Sequence, residues 1–164
     1  MIKKLFLFLF SIFSLISCSN KDLCDCKDYQ NRQFLNYYET YGLTSLDNFF
    51  SLSNDMYYIY LYSITCPRCE NIKGCVLDYL DTSTSPPLYL LQKDKIENFK
   101  DYFKALPLDY NKENRETLIK ECINKSSLSE IYYFGTPTLI EINENKLTNM
   151  LVGETSLINF FSNF

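Results

Sequence analysis

Cys66 and Cys69 are separated only by Pro67 and Arg68, inside the stretch YSITCPRCENIKGC that runs from Tyr62 to Cys75. Two cysteines at this spacing can supply half of a metal site or alternate between dithiol and disulfide. A closed tetrahedral zinc site needs two more ligands, usually a second CxxC or a pair of histidines. The chain has no His, and Cys24, Cys26, Cys75 and Cys122 do not repeat the spacing, so no metal is expected. The lack of His also removes Ser-His and Cys-His catalysis. Redox chemistry remains. The thiolate is the attacking species, and unpaired N–H groups at a helix N-terminus stabilise it. Cys66, nearer the preceding strand, is expected to attack; Cys69, one helical turn on, is expected to close the disulfide and release a mixed-disulfide partner. Arg68 adds a positive charge beside the pair, a pKa-tuning role. The sulfurs themselves carry the electrons, so no organic cofactor is expected. The bland reading of the same residues is a permanent structural disulfide.

Such chemistry needs a strand that delivers the pair to a helix start. MYYIYLYSI, Met56 to Ile64, is a continuous β-prone run without a polar face, which fits a central strand covered on both sides. After the CxxC, Ile72, Val76, Tyr79 and Leu80 recur at helical spacing, with Gly74 a place where that helix can bend. Before the strand, Phe34 to Phe50 predicts a helix. After it come a loop at Asp81 to Pro87 and a second buried strand, Leu88 to Gln92. Helices are predicted at Lys95 to Ala105 and Lys112 to Asn124, and a short third one at SLSE, where Ser127 and Glu130 form a capping-box pattern. Strands at Thr138 to Ile142 and Leu147 to Val152 flank a turn at Asn143 to Asn145, and Ser156 to Phe161 predicts a terminal helix. This order implies an α/β three-layer sandwich.

The chain begins MIKKLFLFLFSIFSLISCSN. Lys3 and Lys4, the apolar run from Leu5 to Ile16 and the small residues after it have the layout of a secretory signal. The run is shorter than the about 20 apolar residues of a membrane span. Leu15-Ile16-Ser17-Cys18 resembles the bacterial lipobox, in which cleavage just before the cysteine leaves that cysteine to carry lipid. The expected organisation is a signal peptide over 1–17, a lipid-anchored polar tether over 18–33 and one folded domain over 34–164. Lipidation at Cys18 would place the domain outside the cytoplasm, anchored to a membrane. The formal charge of the chain is −4, and loss of Lys3 and Lys4 makes the rest more acidic. With no cluster of basic residues, the chain is not built to neutralise phosphates, which sets nucleic acid aside. The 14 Tyr and 13 Phe point to an aromatic core rather than to any particular groove.

Strand, CPRC, helix and, much later, GTPT opening a β-hairpin that ends in VG before a last helix together resemble the thioredoxin superfamily over about residues 43–164. The resemblance implies a thioredoxin-like sandwich with a helical insertion between the second predicted strand and the Thr-Pro hairpin. It implies a cis peptide bond before Pro137, facing the CxxC, with Thr136 offering its backbone to a bound substrate chain. Gly153 matches the glycine after the final strand in many members. The departures are specific. Thr65 stands where cytoplasmic thioredoxins carry Trp, Pro67-Arg68 replaces Gly-Pro, Gly74 replaces a helix-kinking proline, and Tyr60 takes the place of a buried acid that helps shuttle protons. Similar layouts occur in exported thioredoxin-like proteins and in bacteriocin-associated accessory proteins.

The sequence reading is therefore a membrane-tethered, extracytoplasmic thiol-disulfide oxidoreductase, monomeric, acting on protein thiols and disulfides of the cell envelope. The alternative is a thioredoxin-fold lipoprotein that binds or chaperones a secreted polypeptide, with its CxxC a structural disulfide. Cys24, Cys26, Cys75 and Cys122 allow three pairings that sequence does not choose between. Cys75 and Cys122 fall on apolar helix faces and read as small buried hydrophobes.

Overall fold

The structure is a computed structural model that describes residues 32–82 and 86–164. The segment expected to be a signal peptide, Cys18, Cys24, Cys26 and the expected tether as far as residue 31 lie outside the described residues.

The described strands are β1 (Met56–Tyr62), β2 (Leu88–Gln92), β3 (Thr138–Asn143) and β4 (Lys146–Val152). They form one sheet in the order β2-β1-β3-β4. β1 runs parallel to β2 and antiparallel to β3, and β3 pairs antiparallel with β4. The continuous apolar run at 56–62 becomes a central strand because both its faces are covered. Tyr58, Tyr60 and Tyr62 pack with Phe34, Ile72, Leu77, Leu157 and Phe161 on one face. Tyr57, Ile59 and Leu61 pack with Phe49, Phe99, Leu118, Ile131 and Ile140 on the other. Helices α1 (Phe34–Tyr41), α3 (Lys73–Thr82) and α5 (Glu154–Phe161) supply the first layer. Helix α4 (Arg115–Cys122) and the segments at 43–52 and 96–134 supply the other. This is a three-layer α/β sandwich of thioredoxin-like topology.

The hairpin is built by two local devices. Glu144 and Asn145 both have positive φ (49° and 62°), the conformation of a two-residue turn matched to strand twist. A register shift at Glu141/Ile142 inserts an extra residue in β4, so Leu147 and Met150, three apart, both reach the same core.

Three predicted helices are corrected. The helix predicted over Phe34 to Phe50 stops at Tyr41, because Gly42 turns extended and bridges Leu90 at the sheet edge, with Leu43 N–H donating to Leu90 O at 2.8 Å. The helical spacing of Leu46, Phe49 and Phe50 reflects a turn that packs on the second core rather than a continued helix. Lys95 to Ala105 is not an α-helix but two 3-10 turns, Lys93–Lys95 and Phe99–Tyr102, parted by Asn98 in the left-handed region. Phe99 and Phe103 share an aromatic cluster with Tyr133 instead, with centroids 5.0–5.6 Å apart. At SLSE only a 3-10 turn forms (Leu128–Glu130), since Ser127 bonds Ser129 and Glu130 bonds Lys125 in place of the capping box.

Gly42 carries a testable constraint. A Cβ there would lie 2.3 Å from Tyr38 O and 2.6 Å from the Tyr38 ring, inside the core that α1 closes. Gly42→Ala is expected to lower unfolding free energy by about 1–3 kcal/mol, as overpacking does, measured by urea titration of the reduced protein. An unchanged midpoint would show that α1 does not depend on this close approach.

Candidate active site

β1 ends at Tyr62, and the chain turns through Ser63 to Thr65 before α2 (Pro67–Asn71) begins. The turn is closed by Cys66 N–H donating to Ser63 O at 3.2 Å and Thr65 N–H to Ser63 Oγ at 3.3 Å. Asp94, just beyond β2, fixes it from the side, its Oδ2 accepting from Ile64 N–H at 2.9 Å. Pro67 takes the first helical position, where its missing N–H costs nothing and its fixed φ suits a helix. Cys66 is thereby the N-cap residue. The helix breaks at Ile72 (φ −100°, ψ 2°) and resumes as α3, two residues earlier than the bend expected at Gly74.

The two sulfurs meet different surroundings. Cys66 is half-buried and its Sγ accepts from Cys69 N–H at 3.3 Å. Burial alone would push the Cys66 thiol up. Bonds from the Cys69 thiol, the Thr136 side chain and the backbone N–H groups of Cys69 and Arg68 outweigh it and hold the thiol below its ordinary value of 9.0. Cys69 is 1 % exposed. Burial, then its bond to Cys66, pushes its thiol up to about 12, with the Ser63 backbone N–H opposing. Both cysteines are free thiols here, so the site is in its dithiol form. One thiol is eased toward its thiolate and its neighbour is held protonated.

Thr136 and Pro137 complete the site from the other side. Their peptide bond is cis, and Thr136 O lies 3.5 Å from Cys66 Sγ, accepting from the thiol form. Gly153, at φ 91°, donates its N–H to Pro137 O at 2.9 Å, tying the end of β4 to this loop. The structure thus brings Cys66, Cys69, Thr136 and Pro137 together. Arg68 adjoins them, but what it offers Cys66 is its backbone N–H; its side chain is exposed to solvent. Cys18 lies outside the described residues.

Several neighbours carried no signal in the sequence. Asp94 is one acid among many until β2 is placed beside β1. Tyr133, its hydroxyl pushed up by burial and by Asp94, Cys69 and Cys66, faces the pair from the segment before β3. A cleft of about 310 Å³ opens beside Cys69 between Phe34, Leu35, Ser63, Ile64 and Lys95. Leu35 and Ile64 on its rim are largely exposed (65 % and 72 %). Among the described residues no cluster of three or more metal-ligating side chains occurs.

The remaining cysteines separate. Cys122 is fully buried, its Sγ donating to Leu118 O at 3.2 Å and accepting from Tyr132 N–H at 3.4 Å, a small core residue as expected. Cys75, expected to be the same, is disulfide-bonded instead. Its apolar helix face gave the right burial and the wrong chemistry, because a disulfide is as compatible with a nearly buried position as a thiol is.

No family model matches the chain, and no curated protein is similar to it at a significant level. Solved structures with a similar layout include mitochondrial thioredoxin 3 of Saccharomyces cerevisiae in its oxidised form, 17 % identical, covering 78 % of this chain and 98 % of that one with a TM-score of 0.46. Oxidised thioredoxin from Plasmodium falciparum is 14 % identical, covering 74 % and 94 %, with a TM-score of 0.44. Thioredoxin f2 of Chlamydomonas reinhardtii is 15 % identical, covering 74 % and 93 %, with a TM-score of 0.41. The fold assignment rests on the strand order, the helix layers and the cis-proline loop facing the CxxC in this chain itself.

The asymmetry of the pair has a pH signature. Thiolate forms as pH rises through a thiol's pKa, so Cys66 becomes reactive below pH 9 while Cys69 stays protonated to about 12. Iodoacetamide applied to the reduced protein at about pH 8, below the ordinary thiol value, is expected to label Cys66 and spare Cys69 and Cys122, read by peptide mass spectrometry. Equal labelling of Cys66 and Cys69 would contradict the assignment.

Proposed function

We propose that this chain is a membrane-tethered, extracytoplasmic thiol-disulfide oxidoreductase that exchanges disulfides with protein thiols. The observation that carries the reading is the division of labour in the pair: an accessible sulfur with N–H donors aimed at it, backed by a buried thiol one turn away.

In reduction of a substrate disulfide, the Cys66 thiolate attacks one sulfur along the open side of the site. The substrate's S–S bond breaks, its electron pair leaves on the second sulfur, and a Cys66–substrate mixed disulfide remains. The stabilised thiolate of Cys66 makes it both the attacking group of the pair and a good leaving group in the reverse direction. Cys69 then loses its proton and attacks Cys66, expelling the substrate thiolate and forming the intramolecular disulfide. Burial keeps Cys69 protonated until a partner is bound, so it does not compete as the first nucleophile. Thr136, with its carbonyl at the Cys66 sulfur, offers main-chain groups to an extended substrate segment, and the exposed Leu35 and Ile64 offer it apolar contact. The Arg68 side chain, exposed beside the pair, adds positive potential for an approaching disulfide or thiolate.

Anchoring is supported by the sequence alone: Lys3 and Lys4, the apolar run to Ile16 and the LISC tetrapeptide ending at Cys18. Export would place the CxxC where disulfides persist, and the domain acts as a monomer with envelope proteins as partners.

The test is trapping. With a disulfide-bonded protein substrate, Cys69→Ser is expected to accumulate a mixed disulfide through Cys66 that dithiothreitol releases, and Cys66→Ser to abolish exchange by at least about a hundredfold, the scale of losing a nucleophile. Cys18→Ser is expected to move the mature protein out of the membrane fraction with its exchange activity intact. No mixed disulfide in Cys69→Ser, with full activity in Cys66→Ser, would remove the reading.

A further inference from the structure

Tyr60 lies at the middle of β1, fully buried, stacked on Tyr62 at 5.8 Å and flanked by Phe34 at 5.6 Å. Two other core tyrosines of β1 place their hydroxyls: Tyr57 donates to Phe49 O at 2.9 Å and Tyr62 to Gln92 Oε1 at 3.3 Å. Tyr60 Oη does not. Among the described residues it is a buried side-chain polar atom left without a hydrogen-bond partner in the dithiol form. An unsatisfied buried hydroxyl is a standing cost that a phenylalanine, of nearly the same shape, would avoid. The group nearest in effect to that hydroxyl is the Cys69 thiol, in the same core cluster, followed by Cys66 and Tyr62.

We infer that Tyr60 is the hydrogen-bond donor that receives negative charge developing on Cys69 during the resolving step. The inference rests on the oxidoreductase reading. In that step the Cys69 proton passes in net to the leaving substrate sulfur, the Cys69 electron pair forms the bond to Cys66, and the Cys66–substrate bond breaks. The substrate sulfur leaves with the electron pair and takes up a proton; Cys69 is oxidised and the substrate sulfur reduced. The charged form of Cys69 exists only briefly and in a place closed to water. A phenol already there, with no other partner to give up, can turn its O–H to the sulfur without reorganising the core. Tyr60 donates and does not act as base, because burial, and then Cys69 itself, hold its own proton far above the ordinary tyrosine value. The other titratable groups facing Cys69 are Cys66 from α2, Tyr62 from β1 and Tyr133 from the segment before β3, with Glu70 and Lys95 on the adjoining cleft. Of these, Tyr62 is already bonded to Gln92, and Cys66 carries the mixed disulfide when Cys69 reacts.

Reduced protein carrying Cys18→Ser, Cys24→Ser, Cys26→Ser and Cys75→Ser, so that Cys66 and Cys69 are the thiols that react while Cys122 stays buried, separates the steps when mixed with 5,5′-dithiobis(2-nitrobenzoate). Attack by Cys66 releases one chromophore, and resolution by Cys69 releases the second. Tyr60→Phe is expected to leave the first release unchanged and slow the second about tenfold, roughly 1.4 kcal/mol of transition-state stabilisation, with its pH profile displaced to higher pH. Tyr62→Phe, which deletes a neighbouring hydroxyl that is bonded to Gln92, is expected to leave both releases and the profile as they are. A second release in Tyr60→Phe at the rate and pH profile of this parent protein overturns the inference, as does equal slowing in Tyr62→Phe. If the parent protein never releases the second chromophore, the oxidoreductase reading falls and this one with it. Should Tyr60→Phe not fold, the Tyr60 13Cζ resonance of the unsubstituted protein decides: it moves as Cys69 ionises if the bond forms, and stays fixed if it does not.

Discussion

The amide N–H of Cys69 is shared between the Cys66 carbonyl, 3.0 Å away, and the Cys66 sulfur, 3.3 Å away, because the N-cap residue presents both its carbonyl and its side chain to the first turn of the helix. That shared donor fixes much of the rest. It requires a helix to start at Pro67, immediately after a strand, with the chain turned sharply enough that the N-cap sulfur faces the helix end. The Ser63 turn and its anchor on Asp94 meet the demand from one side, and Thr136 from the other. One turn farther in, the same helix carries Cys69 under the surface. The pair's opposite acidities are thus consequences of helix geometry and depth, and the chemistry needs no group beyond the two sulfurs and the donors around them.

A strand buried on both faces makes that placement rigid, and this chain builds it largely from tyrosines. Phenol rings bury large apolar areas and stack well, as Phe34, Tyr60 and Tyr62 do here. Each hydroxyl then needs a partner, and an unmet one costs about 1–3 kcal/mol. Tyr57 and Tyr62 meet the requirement with groups outside the reacting pair, whereas Tyr60, in the core cluster that also holds Cys69, is left without one. In the proposed exchange, a cost borne at this one depth links the packing of the core to the resolving step.

The parts of the fold dictated by local pattern were readable. The apolar run at Met56, the LYLLQ strand and the Thr138–Val152 hairpin depend on residues adjacent in sequence, and their positions agree with the structure to within a residue or two. The segments that differed depend on distant contacts. Phe34 to Phe50 has helical periodicity throughout, yet Gly42 is pulled extended by Leu90, nearly fifty residues on. Phe99 and Phe103 sit at helical spacing but pack around Tyr133, with Asn98 breaking the turn. At the site, CPRC announced the cysteines, and the Thr136–Pro137 cis bond followed only from resemblance. The pin at Asp94, the Tyr133 hydroxyl and the disulfide of Cys75 had no local signature, because each exists only once strands and helices are in place.

Equilibration of the reduced protein with glutathione buffers, followed by acid quenching and thiol trapping, measures the Cys66–Cys69 reduction potential directly. An exchange-competent pair with a stabilised Cys66 thiolate predicts a midpoint between about −120 and −270 mV, the span of dedicated oxidoreductases. A midpoint below about −300 mV, the range of structural disulfides, would contradict the account and leave the CxxC as a staple in a binding protein.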